Sequence, residues 1–459
     1  MDRRAYLKTT LAGTAGFFIL PTFGCGSPNN VIQIGQIGCG RIARDHDLPE
    51  VMKHSDVRVV AVSDVDARRM REGRELVERR YAEAGAPAHT VSEHQDYREM
   101  LARRDIDAVV ISTPDHQHFL PALEAALAGK DIYLQKPFSL TLEEGRILSQ
   151  VMRDRGTVFQ VGSQQRSADP WPHFKRACEL VRNGRIGRLH TVQVGLPGDP
   201  SGGDPTPMPV PDGLDYDAWL GSTPEVPYTV DRVHPQDGYG RGGWLRCEQF
   251  SPGMITGWGA HHVDTAHWGM GTELTGPIEI RGEAEFPTEG LWDVHGDFLV
   301  EARYANGVTM LISGGYPNGV RFEGDAGWVF VTRSGAVTAS DPDSGAQRES
   351  PLQASDPAIL QSVIGPEETQ LYLSEEQHTN WIRCIRSREA TVAPVEVAHR
   401  STSACLIAHI AMKLPRTLRW DPEGEAFLDD DEANAMRSRP QRAPYSMDRV
   451  EGLAEVLSA

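Results

Sequence analysis

The sequence predicts an α/β chain in two parts. An N-terminal doubly wound parallel sheet is followed by a C-terminal α+β domain with a large open, mostly antiparallel sheet. Three observations predict it. Short apolar strands alternate with helices from residue 31 to residue 156, the pattern of a parallel sheet covered on both faces. A glycine-rich turn, Gly38-Cys39-Gly40-Arg41-Ile42-Ala43, ends the first strand and opens a helix. Beyond residue 278 the strands lengthen and alternate apolar with polar residues, as in a sheet buried on one face.

The elements follow in order. Residues 32–37 read as a buried strand and 42–54 as a helix. A second buried strand at 57–63 precedes a charged amphipathic helix at 67–84. A short helix at 97–103 leads to a strand at 108–112. The helix at 120–128 is closed by Gly129, and a strand follows at 132–134. Thr141 and Glu144 make a capping box for a helix ending at Gly156. There the pattern changes. Strands at 158–161 and 189–194 flank a helix, and 195–213 is a Pro/Gly-rich loop. Strands at 278–286, 297–304, 308–314, 320–324 and 327–333 form the open sheet, with helices at 375–386 and 399–412. The polar tail from Arg416 is expected to wrap the surface. The domains are thus 1–30 (leader and linker), 31–156 (parallel sheet), 157–415 (second domain) and 416–459 (tail).

The glycine turn has a physical reading. Gly38 permits a tight turn, Gly40 lets a pyrophosphate approach the backbone, and Ala43 lets the helix pack on its strand. The helix N-terminus then faces the phosphates. Following a strand and opening a helix is the context that makes this a Rossmann dinucleotide site. Asp64 ends the second strand 24 residues after Gly40. A carboxylate there accepts hydrogen bonds from ribose hydroxyls and repels a 2′-phosphate, so NAD is expected ahead of NADP.

Composition excludes several classes. The chain has 459 residues, 39% apolar and 24% charged, enough for two soluble domains. A net charge of −18 works against nucleic acid and anionic membranes. Six cysteines form no CxxC pair and no zinc spacing, so they read as scattered buried thiols and no metal is expected. Arg3-Arg4 ahead of Tyr6-Leu7-Lys8, and the weakly apolar stretch 9–20, resemble a twin-arginine export signal. That stretch is too short to span a membrane, and no integral membrane segment is expected. A periplasmic protein is expected, or one anchored to the membrane at Cys25; a cytoplasmic protein is the alternative. Nanomolar affinity gives a cofactor residence of only roughly ten minutes. An exported NAD enzyme therefore needs its cofactor captured before export, held tightly or under a lid, and recycled in place.

Two further segments carry a resemblance. Residues 107–136 read DAVVISTPDHQHFLPALEAALAGKDIYLQK, and residues 257–264 read GWGAHHVD. They resemble the TPxxxH, EKP and DxxxHxxD segments of the glucose-fructose oxidoreductase/inositol dehydrogenase (Gfo/Idh/MocA) family. The resemblance covers the chain after residue 30, including Phe159 to Arg166. It implies a carbohydrate oxidoreductase, and a homo-oligomer (dimer or tetramer) is expected, with the open sheet as a face for association. It places Lys136 and His261 as the catalytic acid/base pair. Gly38, Gly40, Arg41, Ile42, Asp64, Thr113, Pro114, His116, His118, Gln135 and Lys136 would bind cofactor. Lys136, Arg166, Trp258, His261 and Asp264 would bind substrate.

Two departures bear on the mechanism. The family's Glu-Lys-Pro is Gln135-Lys136-Pro137 here, and the Asp of DxxxH is Gly257. Each change deletes a carboxylate beside the expected acid/base pair. Three readings stay open. The first is an NAD-dependent oxidoreductase acting on a sugar, glycoside or cyclitol. The second is a redox-neutral glycosidase or lyase working by oxidation, elimination and reduction. The third is a non-catalytic sugar-binding relative.

Overall fold

The computed structural model describes residues 31–86, 89–333 and 350–458. The twin-arginine stretch and Cys25 lie outside the described residues. Six parallel strands form the first sheet: β1 (Ile32–Ile37), β2 (Val57–Ser63), β3 (Ser92–His94), β4 (Ala108–Ile111), β5 (Asp131–Leu134) and β6 (Phe159–Val161). Their order is β3-β2-β1-β4-β5-β6. The strand order reverses between β1 and β4, and ligands of such sheets bind outside the carboxyl ends of the strands at that point. β4 and β5 are buried at every position because helices cover both faces. Among these are α1 (Ala67–Glu83), α2 (Phe119–Leu127) and α3 (Leu142–Arg155). The capping box of α3 is present: Thr141 accepts from the Glu144 backbone, and Gly156 ends the helix with φ 64°.

β6 corrects the domain boundary expected at residue 156. It pairs in parallel with β5, so the first sheet ends at Val161. The first helix also differs. Residues 43–47 form a wide π-turn before a short α-helical turn, Leu48–Val51. Such turns are frequent at functional sites, and this one ends on Asp47.

Among the described residues the second sheet has nine strands. β7 (Leu189–Gly195), β8 (Glu279–Ala284), β9 (Phe298–Arg303), β10 (Thr309–Ser313), β11 (Gly319–Gly324) and β12 (Gly327–Val331) are joined by β13 (Leu352–Ala354), β14 (Leu418–Asp421) and β15 (Ala426–Phe427). The order is β13-β12-β11-β7-β10-β9-β8-β14-β15. All pairings are antiparallel except β7 with β10. β9 alternates buried and exposed residues. Its inner face packs on α4 (Gly259–Met270) and α5 (Val395–Lys413) in one apolar core that includes Val192, Val300, Met310, Phe322, Ile407 and Ala411. The outer face is open and carries the ion pairs Arg281–Glu283 and Arg303–Glu279.

Two chain segments depart from their expected places. The tail beyond Arg416 adds β14 to the edge of β8, and its last helix places Leu453 and Val456 in the core of the first domain. The helix Gln377–Ser387 buries Trp381, Ile382 and Cys384 against the far face of the first sheet. The five described cysteines are all free and buried. Among the described residues no helix is long and apolar enough to cross a membrane.

Candidate active site

A cavity of about 460 Å³ opens at the switch point of the first sheet. Its walls include Gly38, Gly40, Arg41, Ile42, Asp64, Thr113, Pro114, Gln135, Lys136, Trp258 and His261. The glycine turn is shaped by contact. Gly38 has φ 82°, and a Cβ there would lie 2.8 Å from the Ser112 carbonyl oxygen. Asp64 locks the turn: its Oδ2 accepts from the Cys39 N–H (2.7 Å) and its Oδ1 from the Asp66 N–H (2.9 Å). Burial pushes its carboxyl up, and these two N–H groups oppose that shift. Each oxygen can accept a further hydrogen bond and Asp64 lines the cavity, so the residues present fit a dinucleotide ribose.

Lys136 follows β5 and projects across the cavity to the second domain. Its Nζ donates to the Gly257 carbonyl oxygen at 2.9 Å. Burial lowers its pKa to about 8; the Asp115 carboxylate opposes this, and Arg333, Arg241 and Arg41 reinforce it. His261 stands on the first turn of α4, edge-on to Trp258 with ring centroids 5.8 Å apart. Neither ring nitrogen has a partner among the described residues. Burial, followed by Arg333 and Lys136, holds its pKa well below the usual imidazole range. It is therefore a neutral imidazole able to accept or donate one hydrogen bond on each side.

The two departures acquire a structural account. At position 257 the backbone carbonyl takes the lysine ammonium that a side-chain carboxylate would otherwise hold. A Cβ there would make only ordinary contacts, 3.5 Å to Met254 Cε, so packing does not exclude a larger residue. At position 135 an amide is required. Gln135 Nε2 donates to Asp47 Oδ1 (2.8 Å), and Asp47 also accepts from Ser112 Oγ (2.6 Å). His378 bridges Asp47 (3.2 Å) and Glu376 (3.0 Å) and stacks on Tyr133. Burial alone would lower the His378 pKa, but these two carboxylates outweigh it and hold it at about 9. Gln135→Glu would set a second carboxylate against Asp47. It is expected to cost about 1–3 kcal/mol of stability at neutral pH. Thermal melts against pH check this: the penalty fades as pH falls and the new carboxyl takes up a proton it can donate to Asp47.

Several sequence expectations are corrected. His116 and His118 do not line the cavity. The 3₁₀ turn Asp115–Gln117 sends both rings back into the protein. His116 Nε2 meets the Trp219 carbonyl (2.7 Å), and His118 spans the carbonyls of Pro137 (2.6 Å) and Thr113 (3.0 Å). Arg166 and Asp264 do not line the cavity either. Arg166 binds Asp264 through two hydrogen bonds of 2.7 and 2.8 Å and reaches Glu273 at 2.8 Å. Ser163 Oγ adds a bond of 2.6 Å to the same carboxylate. Asp264 lies only about 60° round the helix from His261, and its carboxylate is turned away from the cavity by its bonds to Arg166 and Ser163.

The cleft also holds residues that sequence reasoning missed. Asp115 lines the cavity and accepts from Ser251 Oγ at 2.7 Å. Its signal lay in view, as the third residue of Thr113-Pro114-Asp115-His116-Gln117-His118, but one loop carboxylate among many carries no weight until its neighbours are known. Asp47, His378 and the segment 233–244 over the cleft required the tertiary structure.

Comparison with known proteins agrees with this arrangement. Residues 32–163 match the oxidoreductase family's NAD-binding Rossmann fold, and residues 202–340 and 364–447 match its C-terminal alpha/beta domain. An uncharacterized oxidoreductase, YrbE of Bacillus subtilis, is 32% identical over 164 residues, covering 36% of this chain and 43% of that protein. Inositol 2-dehydrogenase 2 of Saccharopolyspora erythraea is 27% identical over 244 residues, covering 53% and 55%. The chain thus spans about half the length of the curated relatives it matches. Among solved structures, the WlbA dehydrogenase from Chromobacterium violaceum, in complex with NADH and UDP-GlcNAcA, superposes with a TM-score of 0.58 at 18% identity, covering 86% of this chain and 98% of that one. The aldose-aldose oxidoreductase of Caulobacter crescentus gives 0.57 at 16% identity, covering 85% and 99%. These likenesses show the fold. With both halves matched and the glycine turn and cavity in place, the chain belongs to the Gfo/Idh/MocA oxidoreductase family.

Proposed function

We propose that the protein is an NAD-dependent oxidoreductase acting on a CH–OH group of a sugar, glycoside or cyclitol, with Lys136 and His261 as its proton-handling pair and a tightly held cofactor. The observation that carries this reading is the convergence of Lys136 Nζ and the unpartnered His261 ring on the cavity that begins at the glycine turn. Bound NAD supplies the hydride acceptor. The protein supplies the rest. Lys136 as free amine takes the hydroxyl proton, His261 orients the hydroxyl, and Trp258 offers an apolar wall to the sugar face. Asp64, at the ribose end, favours NAD over NADP.

Retention of the cofactor is supported by the segment 233–244, which crosses the nucleotide end of the cleft. His234 Nε2 meets Asp66 Oδ2 at 2.9 Å. Arg69 donates to the carbonyls of Pro235 (3.0 Å) and Gly238 (3.1 Å). Tyr239 bonds Glu72 and lies under the Arg44 guanidinium, 4.1 Å from its ring centroid. A cofactor beneath this strap leaves only when these contacts open. Export by the twin-arginine route, which we also propose, makes such retention necessary.

One experiment tests the reading. The purified protein is denatured, the released nucleotide is identified, and the native protein is incubated with glycosides and cyclitols while NADH and free sugar are followed. NAD in the eluate and accumulating NADH are expected. Cleavage without net NADH, with solvent deuterium entering the sugar, would point to the redox-neutral route. No turnover of any sugar would overturn the reading. Tyr239→Ala is expected to speed nucleotide loss by about tenfold, equivalent to ~1.4 kcal/mol of strap contact.

A further inference from the structure

The family's two carboxylates are absent beside Lys136, yet the site is not without an anion. Asp115 reaches the same cavity from the turn after β4 and is only 3% exposed. Its position is fixed from both domains. Ser251 of the second domain donates to its Oδ2 at 2.7 Å. The turn that carries it is pinned by Gln117, which donates to the Ala218 and Trp219 carbonyls (both 2.8 Å), and by His116 on Trp219. Of the charged groups acting most strongly on Lys136, three are cations (Arg333, Arg241 and Arg41) and Asp115 alone is an anion. The imidazoles of His118 and His261 also feel the Lys136 charge, and burial holds both rings neutral.

We propose that Asp115, buried in the wall of the cavity that Lys136 enters and anchored there by Ser251, is the positioning carboxylate of this site in place of the two missing family carboxylates. The inference rests on the proposed role of Lys136. Its logic is electrostatic. Burial and three arginines all favour the free amine. A lysine kept neutral throughout accepts a proton poorly, because its ammonium form is too strong an acid to persist. One buried anion restores the balance, so the amine both takes the hydroxyl proton and exists transiently as ammonium. Asp115 can do this because burial raises its own pKa only to about 6, with Lys136 and the Ser251 hydroxyl opposing the rise. It is therefore largely ionised at pH 7. No ion pair between the two is formed among the described residues, and both residues line the same cavity.

The test reads Lys136 without relying on turnover. The purified protein is labelled briefly with acetic anhydride at a series of pH values, and Lys136 acetylation is measured by mass spectrometry. In the unmodified protein half-maximal reactivity is expected near pH 8. Asp115→Asn removes the anion and should move that midpoint down by about one pH unit, while Asp115→Glu should restore most of it. Circular dichroism and nucleotide content establish that each variant is folded. A superimposable Lys136 profile in folded Asp115→Asn would overturn the proposal. A midpoint near that of an ordinary lysine in the unmodified protein would overturn the Lys136 reading as well. A shifted midpoint with no sugar turned over would sustain the Asp115 inference and reject the proposed function.

Discussion

Lys136→Ala is expected to lower kcat/KM by about 10²–10⁴ while leaving the fold and the bound nucleotide intact. The magnitude is that of removing a positioned general base. The selectivity follows from the contacts. Among the described residues Lys136 Nζ makes one hydrogen bond, to the Gly257 carbonyl, whereas the glycine turn and Asp64 are the residues that would cradle the nucleotide. The pH dependence has a definite sign. Oxidation needs the free amine, so kcat/KM should rise about tenfold per pH unit and level off above about 8, where burial places the Lys136 pKa. At pH 7 roughly a tenth of the molecules then carry the free base, against well under one in a thousand for an ordinary lysine. Lys136→Arg keeps the charge and most of the reach but cannot act as a base, and it should be as inactive as alanine. Steady-state rates across pH 6–9, with nucleotide content measured on the same preparations, check all three statements. Activity that survives in Lys136→Arg would remove the base from Lys136.

Asp264→Ala is expected to act on stability. Asp264 and Arg166 are 2% and 3% exposed at their side chains, bonded to each other twice, with Trp268 stacked on the guanidinium. Removing one partner leaves the other charge buried with weaker compensation, which typically costs about 3–5 kcal/mol. Glu273 still meets Arg166, which places the loss toward the lower end of that range. Replacing both residues with apolar ones, Arg166→Met with Asp264→Leu, should cost less than either single change, because no orphaned charge remains. Urea unfolding of the two single variants and the double variant measures this. If Asp264→Ala instead raised KM for a sugar with the unfolding midpoint unchanged, Asp264 would be a substrate ligand after all.

These two residues show where sequence reading succeeds and where it stops. Lys136 and Asp264 both stand in family motifs, and both are polar residues next to a catalytic candidate. The glycine turn, Asp64 and Lys136 line the cavity as the sequence placed them, because their position is local: a strand end, a tight turn and a helix start fix them within a few residues. Asp264, Arg166, His116 and His118 lie away from the cavity because the destination of a polar side chain depends on partners far along the chain. Arg166 meets a residue 98 positions away, and His116 meets one 103 positions away. No periodicity encodes either contact. Asp115 is the converse case, an unremarked loop residue given weight by Ser251 from 136 positions downstream.

The domain edges follow the same rule. Alternating apolar strands and caps place most elements, since hydrophobic period and capping are properties of neighbouring residues. Sheet membership is not such a property. β6 belongs to the first sheet, β14 extends the second, and the helix Gln377–Ser387 covers the face of a domain it does not follow in sequence. By itself the sequence determined a dinucleotide turn, a parallel sheet around it and a lysine at the end of β5. The tertiary structure alone decided which charges surround that lysine. Electrostatics depends on distance through space, and the anion that acts most strongly on Lys136 comes from a turn whose own position the second domain fixes.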